Sequence, residues 1–184
     1  MNDIKIFLDF GTDDGKELLK YIDKFNMYTG WKILGFEFDP VKFERLKKEV
    51  VPEHSNLDVY DFIATDKIIK FDLSDKNESD WTPWSNNVAL EKYRNIGRVK
   101  CFDVRMFLRE FFFKSDHIVV RMNIAGAEYQ LLEHLIQHDI IDYIDELYIS
   151  FHSKNFDNKQ DILRRESKIL DTLIQKNVKY HVID

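Results

Sequence analysis

The sequence is poor in cysteine, the residue that forms disulfide bonds and many structural zinc sites. Cys101 is the only cysteine among 184 residues, which excludes a disulfide framework and a cysteine-based zinc site and favours a reducing compartment. Apolar runs never approach the ~20 residues of a membrane span. The strand pattern begins by Ile4, so the N-terminus does not resemble a signal peptide. We therefore expect a cytoplasmic protein without a membrane span.

Basic residues are outnumbered by acidic ones. The chain has 27 Lys and Arg against 33 Asp and Glu, a net charge of −6, whereas a general nucleic-acid binder needs a basic surface. Hydrophobic residues make up 44% and charged residues 33%, which is typical of a globular domain with a sizeable core. There are no internal repeats, so we expect one domain over residues 1–184, with excision from a longer protein as the alternative.

The chain opens with a predicted strand, a glycine turn and a helix. Residues 4–8 form an apolar run with strand propensity. Gly11 and Gly15 bracket a tight turn, after which leucine and isoleucine recur at helical spacing. Glycine lets the backbone approach a ligand, and the first helical turn points free N–H groups at it. This stretch predicts a nucleotide-cofactor cradle, with an ordinary strand–helix turn as the alternative.

A second predicted strand, over residues 31–40, ends in acidic residues. Rossmann-like folds place a carboxylate at the end of the second strand to accept hydrogen bonds from ribose hydroxyls, and Glu37 has this position. A solvated carboxylate without a ligand is the alternative interpretation. Pro40 fits the first turn of a helix that extends to about residue 50.

The third predicted strand spans residues 57–64. Asp61 and Phe62 lie near its end, where they can flank an adenine ring; a turn aspartate and a buried phenylalanine are an equally good interpretation. Residues 68–74 alternate enough to predict a further strand, at the periphery of the sheet.

The segment 75–98 has no apolar period and contains Trp81 and Trp84. Loops of this length in compact domains are often functional. Aromatic rings on a loop can stack on the apolar face of a sugar or form a lid, and equally they can anchor the loop to the body. Both tryptophans are therefore candidate ligand-binding residues, with a role as loop anchors as the equal alternative.

Strands and helices continue to alternate in the second half of the chain. Asp103 is a predicted helix cap. The helix after it offers four core candidates, Phe107, Leu108, Phe111 and Phe112. The predicted elements are a strand and helix over 99–113, a strand and helix over 116–136, a strand over 144–152, a helix over 157–176 and a strand over 178–183.

This alternation predicts an α/β fold with a mostly parallel central sheet and helices on both faces. In such sheets, ligands bind beyond the carboxyl ends of the strands. Several polar residues and a glycine follow predicted strands at these ends, so we expect them to converge on one crevice. They are Asp9, Gly11, Glu37, Asp61, Asn123 and His152.

Three stretches resemble motifs of the FkbM family of S-adenosylmethionine-dependent O-methyltransferases. DFGTDDGKE is similar to the family's D-x-G-x-x-x-G cofactor motif, GFEFDP to its second-strand motif, and RMNIAGAEYQLLEHL to its K-x-D-x-E-G-A-E motif. The resemblance runs from about residue 4 to residue 152. It implies a Rossmann-like class I methyltransferase fold and S-adenosyl-L-methionine as the cofactor.

The resemblance also implies roles for single residues. The cofactor would be held by the first two motifs, together with the adenine candidates Asp61 and Phe62. The motif residues are Asp9, Gly11, Thr12, Asp13 and Gly15, followed by Glu37 and Phe38. Arg121 and Glu128 match the late motif and are assigned to substrate binding.

The chain departs from the family at three acceptor-side positions. Asn123, Ala125 and Ser150 stand where carboxylates are usual or common in the family. Because a hard cation prefers carboxylate oxygens, we expect no metal at this site. His134 and His138 have a helical spacing that can bind zinc, but the sequence offers no evident third ligand.

The implied reaction is methyl transfer to a hydroxyl oxygen, which is helped by a base within hydrogen-bond reach. His152 is the candidate base because imidazole titrates near neutrality; a structural strand-end histidine is the alternative. Asp80 is the secondary candidate for the base, and Trp81 and Trp84 are assigned to acceptor binding. Asn123 is predicted to orient the acceptor, or otherwise to hold only its own backbone turn.

The family implies a saccharide or another small hydroxylated molecule as the acceptor. The tryptophan-containing loop makes a sugar plausible, with a deoxysugar of a surface glycan as one example. Glycosyltransferases are the expected partners, either fused to this chain or acting with it, and we expect no nucleic-acid partner.

Other functions have less support in the sequence. A nicotinamide dehydrogenase usually shows G-x-G-x-x-G, and residues 10–15 have a different glycine spacing. Nucleic-acid amino-group methyltransferases commonly carry Asn/Asp-Pro-Pro-aromatic after the fourth strand, where residues 123–126 read NIAG. A non-catalytic cofactor-binding module, and a methyltransferase for another small hydroxylated or amino substrate, remain open alternatives.

Overall fold

The structure, a computed structural model, describes residues 4–66, 70–72 and 96–183. The strands are β1 (Lys5–Phe10), β2 (Trp31–Phe36), β3 (Leu57–Tyr60), β4 (Ile63–Thr65), β5 (Lys70–Asp72), β6 (Arg98–Asp103), β7 (His117–Met122), β8 (Glu146–Ile149) and β9 (Lys179–Val182). The helices are α1 (Lys16–Lys24), α2 (Pro40–Arg45), α3 (Val104–Phe111), α4 (Glu128–Gln137) and α5 (Lys159–Gln175). A π-helical turn, Leu46–Val50, continues α2. None of the helices in these ranges is long and apolar enough to cross a membrane.

The central sheet has six strands in the order β3-β2-β1-β7-β8-β9. Every pairing in it is parallel. From β1 the chain adds strands on one side (β2, β3) and later, from β7, on the other side (β8, β9). The boundary between β1 and β7 is thus the topological switch point, and doubly wound sheets bind ligands there, at the carboxyl ends of the strands. The predicted Rossmann-like α/β fold is therefore confirmed.

Helices cover both faces of this sheet, as the alternation predicts. On one face, α1 and the π-helical turn bury Leu18, Ile22 and Leu46 against Phe7 and Val119. On the other face, α3, α4 and α5 pack against the alternate side chains of the same strands, including Ile6, Leu8, Val120 and Leu147. Full burial of one such side chain contributes about 1.5–3 kcal/mol relative to exposure. Both helix layers are therefore held chiefly by apolar contact with the sheet.

The predicted third strand is divided between two sheets. β3 ends at Tyr60 in the central sheet, and β4 begins at Ile63 in a second, three-stranded sheet of order β4-β6-β5. Asp61 and Phe62 form the connection. The strand propensity is continuous across 57–64, so the sequence does not predict this break; beside it, the partly exposed Asp61 carboxylate pairs with Lys100 Nζ of β6 at 2.7 Å. β5 lies at the edge of the second sheet, which confirms a peripheral strand in 68–74.

Helix α3 begins where it was predicted but buries fewer aromatic rings. Asp103 caps it, because its Oδ1 accepts the N–H of Met106 at 3.2 Å. Leu108 is buried, whereas Phe107 and Phe112 are only partly buried. The prediction of Phe111 as a core residue is wrong, since it is 67% exposed. The inward face of this short helix is used by Val104 and Leu108, one turn apart.

Candidate functional site

The turn that leaves β1 is fastened to the ends of both neighbouring strands. The N–H groups of Gly11 and Thr12 each donate to the carbonyl oxygen of Phe36, at the end of β2, over 3.1 Å. Gly11 has φ +82°, and a Cβ atom there would collide with the carbonyl oxygen of Asn123, just beyond β7. Only glycine meets both demands without strain. The turn therefore lies at the switch point of the sheet.

Glu37 is held by two backbone donors at the end of β2. Its Oε2 accepts the N–H of Asp13 and its Oε1 accepts the N–H of Asp39, both at 2.8 Å. Burial raises the pKa of the Glu37 carboxyl, and these two N–H groups and Lys42 oppose the rise without cancelling it. An ionised carboxylate has about four acceptor positions, so both oxygens can each accept a further hydrogen bond. Glu37 thus lies beside the glycine turn, as the sequence predicted.

The first motif continues through Asp13 into helix α1. Asp13 is exposed, has φ +56° and pairs with the ammonium group of Lys42. Gly15, with φ +82°, precedes the first residue of α1. A Cβ atom on Gly15 would lie 2.8 Å from a methyl carbon of Leu46, but that flexible side chain can shift, so the left-handed φ is what demands glycine here.

Asp9 and Arg121 form a buried ion pair between β1 and β7. The guanidinium Nη1 of Arg121 lies 2.6 Å from Asp9 Oδ1 and 3.3 Å from the carbonyl oxygen of Gly11. The two side chains are 0% and 2% exposed, respectively. Burial raises the pKa of the Asp9 carboxyl and Arg121 opposes it; burial lowers the pKa of Arg121, but Asp9 raises it above its ordinary value. In the described part of the chain, Asp9 Oδ2 and Arg121 Nε have no hydrogen-bond partner.

His152 lies just beyond β8 and contacts the first residue of α4. Glu128 is fully buried, and its Oε1 accepts the backbone N–H of His152 at 2.8 Å. The same oxygen lies 3.1 Å from His152 Nδ1, and Oε2 accepts the N–H of Gly126 at 2.7 Å. The imidazole itself is 17% exposed. The candidate base is therefore paired with a buried carboxylate.

The segment between β7 and α4 forms a sharp turn at the same edge of the sheet. Asn123 N–H donates to the carbonyl oxygen of Phe10 at 2.9 Å, which holds this segment against the end of β1. Ala125 and Gly126 have φ +55° and +112°. Ser150 N–H donates to the carbonyl oxygen of Met122 at 2.9 Å. Backbone contacts thus bring the ends of β1, β7 and β8 together.

Asp61 and Phe62 lie at the end of β3, farther along this edge. The Phe62 ring packs edge-on against Phe102 at 6.2 Å between centroids, and Lys100 Nζ lies 5.4 Å from its centre. Phe62 also lines an apolar cavity of about 550 Å³. Among the other lining residues are Leu34, Phe36, Tyr60, Phe102 and Phe107. The assignment of Asp61 and Phe62 to the adenine ring stays a prediction.

The structure brings together most of the predicted site residues it describes. Contacts link the first motif to Glu37, Arg121 and Asn123, and separate contacts link Glu128 to His152. Asp80, Trp81 and Trp84 lie outside the described residues. The rings of His134 and His138 are 4.6 Å apart. Within the described ranges, no three His, Cys, Asp or Glu side chains form a group that could hold a metal ion.

This fold occurs in a solved methyltransferase. The crystal structure of methyltransferase FkbM from Methylobacillus flagellatus KT matches 92% of this chain, with a TM-score of 0.54 and 14% sequence identity. This chain spans 38% of the length of that protein. No protein-family model matches the sequence, and no curated protein is significantly similar to it. The FkbM resemblance is thus confirmed at the level of the fold.

Two contacts at the site were missed by the sequence interpretation. Arg121 and Glu128 were assigned to substrate, yet Arg121 pairs with Asp9 and Glu128 with His152. A signal was available for Arg121, because a charged residue inside an apolar strand usually requires a buried partner. For Glu128, a helix-start carboxylate predicts a local cap and does not identify His152.

Proposed function

We propose that this protein is an S-adenosylmethionine-dependent O-methyltransferase that transfers a methyl group to a hydroxyl of a saccharide without a metal ion. The observation that carries the proposal is the hydrogen bond from Asp13 N–H to Glu37 Oε2. It brings the glycine turn and the second-strand carboxylate to one place, on a fold that the FkbM methyltransferase shares.

The residues present fit this cofactor. Asp9 Oδ2 is a buried acceptor without a partner among the described residues, so it can receive a donor such as the ammonium group of the methionine moiety. Glu37 has acceptor capacity left for ribose hydroxyls. The first turn of α1 offers backbone N–H groups. The remaining candidates from the first two motifs are Gly11, Thr12, Asp13, Gly15 and Phe38, with Asp61 and Phe62 on the adenine side.

The cofactor supplies an electrophilic methyl group, so the protein must mainly align the acceptor and exclude water. His152 serves as the base that takes the proton of the acceptor hydroxyl, since it follows β8 at the edge where ligands bind. Asn123 follows β7 at the same edge, and its carboxamide can bind and orient the acceptor oxygen. Asp80 is the secondary candidate for the base.

A saccharide acceptor is proposed from the sequence and from the FkbM resemblance. Trp81 and Trp84 can cover the apolar side of a sugar ring, a role that aromatic residues take at sites with one apolar and one polar side. The proposed setting is cytoplasmic, with glycosyltransferases as partners that make the glycan or carry it.

Replacing Glu37 by glutamine is expected to weaken cofactor binding. Glutamine has one acceptor oxygen where glutamate has two, so at least one hydrogen bond to the backbone or the ribose is lost. Such a loss costs about 0.5–1.5 kcal/mol, which corresponds to a roughly 2- to 10-fold higher Kd for S-adenosylmethionine. Titration calorimetry measures this change.

Glu44→Gln is the matched control for this prediction. Glu44 lies on the neighbouring helix α2, and its side chain is 53% exposed. The Kd of this variant for S-adenosylmethionine should therefore equal that of the unchanged protein. Calorimetry with S-adenosylhomocysteine and NAD tests the competing classes. Tighter binding of NAD than of either sulfur compound would contradict the proposal, and binding without methyl transfer to any member of a glycan pool would favour a non-catalytic module.

Methyl transfer is expected to need no divalent cation. Asn123, Ala125 and Ser150 occupy acceptor-side positions at which carboxylates would be needed to bind a hard cation. Product formation from labelled S-adenosylmethionine should therefore be the same with and without an excess of EDTA. Loss of turnover in EDTA, with recovery on addition of Mg²⁺ or Mn²⁺, would show that a metal takes part.

A further inference from the structure

We propose that Glu128 is a positioning residue that fixes the tautomer and orientation of His152. The inference rests on the proposed function, in which His152 is the base. Glu128 contacts His152 twice through one oxygen, at the backbone N–H (2.8 Å) and at ring Nδ1 (3.1 Å). The main chain and the side chain of the histidine are therefore held by the same carboxylate.

The contact with Glu128 favours one of the two neutral forms of the ring. An ionised carboxylate oxygen is only an acceptor, so we infer that Nδ1, at 3.1 Å, donates a proton to it. If Nδ1 carried no proton, its lone pair would face a lone pair of Glu128 Oε1, and neither atom could donate a hydrogen bond to the other. Neutral His152 therefore carries its proton on Nδ1. Its lone pair lies on Nε2, on the other side of the ring, where an acceptor hydroxyl can be deprotonated.

Glu128 cannot take the role of a substrate ligand. Its side chain is 0% exposed, and its two oxygens already receive the donors of Gly126 and His152. The carboxylate is enclosed by the protein, and both of its oxygens already have partners there. We therefore assign its effect on the reaction to its contact with His152.

The two oxygens of Glu128 have different partners, so its structural role and its positioning role can be distinguished. Oε2 accepts the N–H of Gly126 and stabilises the sharp turn before α4, where Gly126 has φ +112°. Oε1 contacts His152 at its backbone N–H and at its ring. A carboxylate that served the turn alone would need no contact with the imidazole, so the second oxygen is the one that matters for the base.

The tautomer can be measured on the protein alone. Long-range ¹H–¹⁵N correlation spectra distinguish a protonated from a bare ring nitrogen, and the His152 signals are assigned by their loss in His152→Gln. At a pH where the ring is neutral, we expect the proton on Nδ1 and a bare Nε2. A proton on Nε2 would overturn the inference, whatever the activity of the protein.

Glu128→Gln tests the dependence on the carboxylate. The carboxamide has only one acceptor oxygen for the donors of Gly126 and His152, and an NH₂ group turned to Nδ1 would force the proton onto Nε2. We expect the Nε2–H tautomer to gain population. We also expect kcat to fall about 10- to 100-fold with KM little changed, the size of effect known for groups that orient a functional histidine. An unchanged tautomer together with an unchanged kcat would refute the role.

A matched variant and a double variant control for structural damage. Glu133→Gln makes the same chemical change on the same helix, but Glu133 pairs with Arg165 and is 43% exposed, so tautomer and kcat should not change. In a His152→Gln background, Glu128→Gln should cause no further loss of kcat, because the residue acts through His152. A further loss of tenfold or more would show that Glu128 acts elsewhere.

The outcomes separate this inference from the proposed function. If the wild-type protein has the Nδ1–H tautomer but transfers no methyl group to any hydroxyl, the proposed function fails while the pairing stands. If it transfers methyl groups with Nε2 protonated, the function stands and the inference fails. If Glu128→Gln does not fold, the wild-type tautomer and the His152→Gln assignment still decide the question.

Discussion

Replacing Arg121 with methionine is expected to lower the free energy of unfolding by about 3–5 kcal/mol. Arg121 is the partner of Asp9, and both side chains are almost completely buried. Methionine fills part of the space but leaves the Asp9 carboxylate without its counter-ion in a core lined by Phe7 and Tyr21. Such an uncompensated buried charge is far more costly than the loss of the attraction itself. Urea unfolding followed by circular dichroism measures the change.

Two further variants make this result specific. Arg165→Met removes the partner of Glu133 on the partly exposed surface between α4 and α5, where the cost should be only about 0–1 kcal/mol. The double variant Asp9→Leu/Arg121→Met removes both charges and should recover most of the loss. Equal costs for Arg121→Met and Arg165→Met would show that the buried pair does not stabilise the sheet in this way.

Replacing His152 with glutamine is expected to lower kcat for methyl transfer by roughly 10²- to 10⁴-fold. The imidazole follows β8 at the carboxyl edge of the parallel strands, where we propose that the acceptor binds, and it contacts Glu128. Glutamine preserves a polar side chain of similar length but cannot accept the proton of the acceptor hydroxyl. The affinity for S-adenosylmethionine should change little, because the residues proposed to bind it follow β1 and β2. Formation of S-adenosylhomocysteine, measured against acceptor concentration, gives kcat and KM.

His117→Gln is the control for loss of a histidine as such. His117 begins β7, at the opposite edge of the sheet, and its side chain is 44% exposed. The kcat of the His117→Gln variant should stay within twofold of that of the unchanged protein. Retention of more than a tenth of kcat by His152→Gln would mean that another group, with Asp80 as the first candidate, accepts the proton.

The order and type of the secondary-structure elements could be predicted from the sequence alone. Period-two and helical apolar patterns are local, and they specify which side chains face a core whatever the core turns out to be. Glycine turns, the Asp103 cap and Pro40 are local as well, because each acts on backbone within one turn of itself. The parallel α/β fold follows, since a strand–helix–strand alternation has few compact arrangements.

Only the tertiary structure decided which polar groups meet inside that fold. Asp9 and Arg121 are 112 positions apart and Glu128 and His152 are 24 apart, so no local period relates either pair. Asp9 lies opposite Arg121 because β1 and β7 are neighbours in this register, and strand order and register depend on the packing of the whole sheet. The same packing divides residues 57–64 between two sheets. Distant segments of the chain bury both pairs. Loss of one partner would therefore leave the other unpaired in the core and lower the stability of the protein.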